Sequence, residues 1–150
     1  MTINVKINGK MHVLPIKPDE FFIDTLRNNQ ILSVKKGCDG STCGSCTILL
    51  DNTPVLACSL LSVRADQKEV LTVEGHQEEV QKIADAFGQE GADQCGFCNP
   101  GIALMIIALK QTYDHPTDAQ IKQFMVGNLC RCSGYQSQFY AIKRYLEGRS

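Results

Sequence analysis

The chain opens on alternation. Ile3, Val5 and Ile7 are apolar while Thr2, Asn4 and Lys6 are polar, so Thr2 to Ile7 reads as a strand with one buried face. Asn8-Gly9 is a hairpin signal, and Met11 to Ile16 returns as the partner strand. Pro18-Asp19-Glu20 predicts the start of a short helix carrying Phe21, Phe22, Ile23 and Leu26. Gly37 to Cys46 is too rich in glycine and cysteine for regular structure. Thr47 to Leu50 predicts a strand, Asp51-Asn52 a turn, Pro54 to Cys58 another extended piece and Val70 to Val73 a closing strand.

The period then changes. Val80, Ile83, Ala84 and Phe87 recur at helical spacing. Asn99-Pro100 reads as an N-cap followed by the first helical residue, ahead of Gly101 to Lys110, which is apolar nearly all round and so predicted to be buried. Thr117 and Gln120 form a capping-box pattern before Ile121, Phe124 and Met125, and Gly127 stops that helix. Tyr135, Phe139, Ile142 and Leu146 make a fourth stripe. A sheet-rich half therefore precedes four helices, with the boundary near Glu74-Gly75-His76, a short linker around His76, and domains over residues 1–75 and 76–150.

Composition narrows the class. Fifteen Lys and Arg against 16 Asp and Glu leave a net charge of −1, which gives nucleic acid no basic surface. The longest apolar run, Ile102 to Leu109, is too short to span a bilayer. The alternating N-terminus has no charged segment followed by an apolar one, so the expectation is a cytoplasmic protein without membrane contact. Eight cysteines in 150 residues then suggest metal rather than disulfides.

Cys38-x4-Cys43-x2-Cys46, with Cys58 further on, has the plant-type [2Fe–2S] spacing. Two bridged irons need four thiolates around one small volume, and three of them come from a loop that must curl. Gly37, Gly40 and Gly44 permit that curl, and loop amides can then reach the sulfurs. The second group is Cys95-x2-Cys98 with Cys130-x-Cys132. Both pairs fall at predicted helix ends, where a bundle can join them and a helix N-terminus favours a negative group. Spacing alone leaves this group open between [2Fe–2S] and zinc. Disulfides are a further alternative for all eight, although Cys130 and Cys132 are too close to pair comfortably with each other.

Four stretches carry a wider resemblance: Val34-Lys35-Lys36-Gly37-Cys38, Cys43-Gly44-Ser45-Cys46-Thr47, Gln94-Cys95-Gly96-Phe97-Cys98-Asn99-Pro100-Gly101 and Gly127-Asn128-Leu129-Cys130-Arg131-Cys132-Ser133-Gly134-Tyr135. In them the chain resembles the iron–sulfur subunit of the molybdenum hydroxylases, the xanthine dehydrogenase, aldehyde oxidase and aerobic carbon monoxide dehydrogenase family. The resemblance implies an α+β fold, with a plant-type ferredoxin-like β-grasp domain followed by a C-terminal four-helix bundle. It implies a second [2Fe–2S] cluster on Cys95, Cys98, Cys130 and Cys132, and a molybdopterin contact through Gln94 and Cys132. It also implies a large molybdenum-cofactor subunit and an FAD subunit as partners. Single electrons would then pass from molybdenum through both clusters towards flavin, with no bond-making chemistry on this chain. A free-standing two-cluster carrier is the alternative.

Two positions and one segment depart from the family pattern: Ser41 stands where glycine is usual, Asn99 where threonine is usual, and Gln136-Ser137-Gln138-Phe139 differs. The first could alter the loop amides and the potential, the second is neutral for capping, and the third concerns packing or a subunit contact. His12, His76 and His115 share no motif and read as solvated or core-satisfied. Arg131, between two cysteines, could offset thiolate charge or dock a carboxylate.

Overall fold

In the computed structural model, which describes residues 1–148, β1 (Thr2–Ile7) and β2 (Lys10–Pro15) form the expected hairpin in register from Thr2 opposite Pro15 to Ile7 opposite Lys10. Asn8 and Gly9 both take positive φ, the twist a two-residue hairpin turn needs. β3 (Thr47–Leu50) and β4 (Thr53–Leu56) pair the same way across Asp51-Asn52, and β5 (Glu69–Leu71) closes the sheet. The sheet order is β2-β1-β5-β3-β4, antiparallel except for the β1–β5 pair.

α1 (Phe22–Asn28) begins later than Pro18-Asp19-Glu20 predicts. The reason is tertiary. The N–H groups of Phe22 and Ile23 donate to the carbonyls of Leu60 and Ala57, and Glu20 O accepts from Ser62 N–H. Glu20 to Ile23 are thus tied to the distant segment 57–62 where the helix starts. Phe22, Ile23 and Leu26 then bury themselves against Ile3, Val5, Ile7, Ile48 and Val70. Each such side chain stabilises the fold by roughly 1.5–3 kcal/mol.

The helical half comprises α2 (Gln77–Gln89), α3 (Asn99–Thr112), α4 (Asp118–Met125) and α5 (Tyr135–Leu146). The Thr117–Gln120 capping box opens α4 as predicted. In α3 the N-cap is Cys98, one residue before the predicted one, and Asn99 lies inside the first turn. The Asn99 amide is used elsewhere, donating to Asp93 Oδ1 at 2.9 Å. α3 is the central helix, with Ile102, Leu104, Ile106 and Leu109 fully buried. It also lies across β3 and β4, and Leu49 of β3 belongs to its core. The sheet is therefore buried on both faces at this end, between α1 and α3. No loose linker separates the halves: a 3₁₀ turn, Val73–Gly75, runs into α2, and Ser33 Oγ donates to the Glu74 carboxylate. His76 is half-buried, and its Nε2 is buried with no hydrogen-bond partner among the described residues.

Candidate metal centres

Cys38, Cys43 and Cys46 lie on the loop between α1 and β3, and Cys58 sits just beyond β4. β3 and β4 are paired, so Cys46 and Cys58 are brought level; Ala57 N–H donates to Cys46 O. The thiols meet in pairs, Cys38 with Cys43 and Cys46 with Cys58. Backbone N–H groups of Thr42 and Cys43 point at Cys38 and pull its thiol from 9.0 to about 6. Cys46 is buried and pushed up to about 12. Two hydroxyls also reach sulfur: Ser45 Oγ lies 2.9 Å from Cys43 Sγ, and the Cys58 thiol donates to Ser41 Oγ at 3.4 Å.

The second group forms where the start of α3 meets the loop after α4. Cys132 Sγ is 3.5 Å from Cys95 Sγ, and the Cys98 thiol donates a hydrogen bond to Cys130. Burial pushes Cys98 up to about 12. At Cys130 burial acts upward too, but N–H groups of Cys132 and Ser133 outweigh it and bring the thiol down to about 7. Both quartets thus contain one amide-stabilised thiol and one buried, proton-retaining thiol. All eight cysteines are free. Pairwise approach suits a dinuclear cluster, which takes two thiolates per iron, better than a single zinc ion, which draws four to one point. Among the described residues no three His, Cys, Asp or Glu are arranged to hold one metal ion.

The two loops touch. Leu129 N–H, next to Cys130, donates to Cys43 O at 2.9 Å. Buried Asn128 donates its amide to Gly44 O at 3.2 Å. Gly44 has φ +73, and a Cβ there would lie 2.4 Å from Gly127 O; a Cβ on Gly101 of α3 would lie 2.5 Å from Gly44 O. Only glycine allows this approach. Phe97, between Cys95 and Cys98, reaches the first loop at Gly37, where its ring leaves little room for a side chain.

Gln94 is exposed and donates to Cys132 O at 3.2 Å, and Cys95 and Cys132 are exposed beside it. Arg131 is exposed on the same loop, and Lys36 forms a 3.5 Å surface pair with Asp24. The motifs gave no role to Asn128, and Gln138 stood only in a segment read as packing or a subunit contact. Gln138 is buried on α5, with its amide 4.0 Å from Cys98 Sγ. Its signal in the sequence is a polar residue four before Ile142 on the buried stripe.

Residues 5–73 match the family described as "2Fe-2S iron-sulfur cluster binding domain", and residues 72–143 match "[2Fe-2S] binding domain". The nicotinate dehydrogenase small FeS subunit of Eubacterium barkeri is 38% identical, over 97% of this chain and 94% of its own. The xanthine dehydrogenase iron-sulfur-binding subunit of Escherichia coli O157:H7 is 39% identical, over 91% of this chain and 88% of its own. The crystal structure of the aldehyde oxidoreductase from Desulfovibrio desulfuricans ATCC 27774 superposes with a TM-score of 0.89 at 33% identity, covering 97% of this chain and 17% of that longer one. With the fold, the thiol quartets and these relatives in agreement, the chain belongs to the iron–sulfur subunits of the molybdenum hydroxylase family, the electron-transfer components of oxidoreductase complexes.

Proposed function

We propose that the chain holds two [2Fe–2S] clusters, one on Cys38, Cys43, Cys46 and Cys58 in a ferredoxin-like domain (1–75), the other on Cys95, Cys98, Cys130 and Cys132 in a helical domain (76–150). When bound, such clusters supply one-electron storage without bond-making chemistry. The observation that carries this reading is the arrangement of the thiols: two quartets, each drawn into two pairs, with their loops hydrogen-bonded through Leu129 and Cys43.

The chain's residues would perform three tasks. Backbone amides at Cys38 and Cys130 hold thiolates before metal arrives. Burial of Cys46 and Cys98 keeps water from one side of each group and means that ligation must release their protons. The Leu129–Cys43 contact shortens the path between the groups. Electrons would enter at the exposed Cys95–Cys132 edge, where Gln94 and Cys132 offer an amide and a sulfur to a molybdopterin-type cofactor on a large subunit. They would leave from the first group towards an FAD subunit. Exposed Phe97, Leu129, Tyr135 and Val126 flank the second group and suit burial under a partner. A free-standing carrier has no use for that apolar rim. None of the helices among the described residues is long and apolar enough to cross a membrane.

Iron and acid-labile sulfide analysis of natively purified protein, with EPR after dithionite reduction, tests the reading. About four irons, about four sulfides and two S = 1/2 signals are expected. About two irons with zinc would overturn the second assignment. Purification of the native chain without larger polypeptides would overturn the subunit assignment.

A further inference from the structure

Ser41 has φ +54, in the left-handed region that is disfavoured for any residue with a Cβ. Glycine would relieve that strain but would place no atom near Cys58. Serine places its Oγ 3.4 Å from Cys58 Sγ. Ser45 Oγ lies 2.9 Å from Cys43 Sγ, so each thiol pair of the first group meets one hydroxyl. In the second group the comparable contact, Ser133 Oγ to Cys130 Sγ, is 3.9 Å. The hydroxyls are thus concentrated on one group, and one of them is held there by a strained backbone. Strain retained beside a functional group points to a role for the side chain that bears it.

We propose that Ser41 sets the reduction potential of the first cluster, raising it above the value the same loop would give with glycine. The inference rests on the two-cluster reading. As a thiol, Cys58 donates to Ser41 Oγ. As an iron ligand it is a thiolate without a proton, so it can only accept. The hydroxyl rotates and becomes the donor. One electron added to the cluster increases the negative charge on its sulfurs, and a donor to those sulfurs favours the reduced form more than the oxidised one. A higher potential at the first group would make one-electron transfer to it from the second group more favourable than with glycine at position 41.

EPR-monitored redox titration of the natively purified complex tests this in the parent, Ser41→Gly and Ser41→Ala. Glycine suits the backbone angle, so Ser41→Gly is expected to retain its iron. In both variants one signal's midpoint should fall by about tenfold in its one-electron equilibrium constant, about 59 mV, while the other signal stays fixed. Equal loss in both variants assigns the effect to the hydroxyl. A fall only in Ser41→Gly would assign it to the backbone and overturn the proposal, as would unchanged midpoints in iron-replete variants. A parent with only one [2Fe–2S] signal would instead sink the two-cluster reading, and this inference with it.

Discussion

Cys38 and Cys46 share a loop yet are driven in opposite directions, to about 6 by backbone amides and to about 12 by burial. Cys130, at about 7, and Cys98, at about 12, repeat the division. Thiolate is the reactive form, so its fraction at each site increases as pH rises through that site's value. In the cluster-free chain near neutral pH, iodoacetamide should label Cys38 and Cys130 first and Cys46 and Cys98 last. Peptide mass spectrometry over time reads the order; early labelling of Cys46 would contradict it. None of this was legible in the spacing, which treats the cysteines of a group alike. The amides that aim at Cys38 belong to its own loop, but their direction depends on how that loop is held by the rest of the fold.

Among the elements, the contact between the first cysteine loop and the helical half is built from absent side chains. A Cβ at Gly44 or Gly101 would lie 2.4 or 2.5 Å from a backbone carbonyl, which cannot swing aside. Gly44→Ala and Gly101→Ala should each destabilise by about 1–3 kcal/mol in chemical denaturation. Asn128→Ala should cost less, about 1 kcal/mol, because Gly44 O also accepts from Thr47 N–H and Oγ1. Across the bundle, Glu79 of α2 accepts from Lys110 of α3 at 2.6 Å and Tyr145 of α5 at 3.0 Å. The Lys110 hydrogen bond leads in holding its carboxyl at about 2, below the ordinary 4.5. The resulting stability is fully present above 4.5 and is lost as pH falls towards 2. The Tm advantage of the parent over Glu79→Gln should therefore shrink across that window; a difference independent of pH would rule out this linkage.

For the whole molecule, β3 is the shared wall. Ile48 belongs to the core beneath the sheet, and Leu49 to the helical core. Leu49→Ala should cost about 2–5 kcal/mol, as a large-to-small change in a packed core does. It should also lower the melting of both halves together, seen as one transition by sheet and helix signals in circular dichroism. Two separate transitions would show that the halves unfold independently. Residues 1–75 expressed alone would expose Leu49 and Leu71 and should self-associate at a concentration where the whole chain does not, as read by light scattering.

What the sequence determined by itself is whatever short stretches of chain encode. The alternation of β1, the Asn8-Gly9 and Asp51-Asn52 turns, the Thr117–Gln120 capping box, the apolar girth of α3 and the two cysteine spacings are all local patterns. Each is specified by chain chemistry within a few residues, and the strand, the turns, the capping box and the buried helix all formed. The tertiary structure decided what depends on distant partners. The delayed start of α1 is imposed by carbonyls some 35 residues on, at Leu60 and Ala57. Asn128 found its use 84 residues away, at Gly44. Ser41 could be marked in the sequence only as a departure, until the chain brought Cys58 to its hydroxyl. The division of eight like thiols into pairs, exposed or buried, was likewise left to packing. Spacing states how far apart ligands lie along the chain, and only the packed elements state which sulfurs meet.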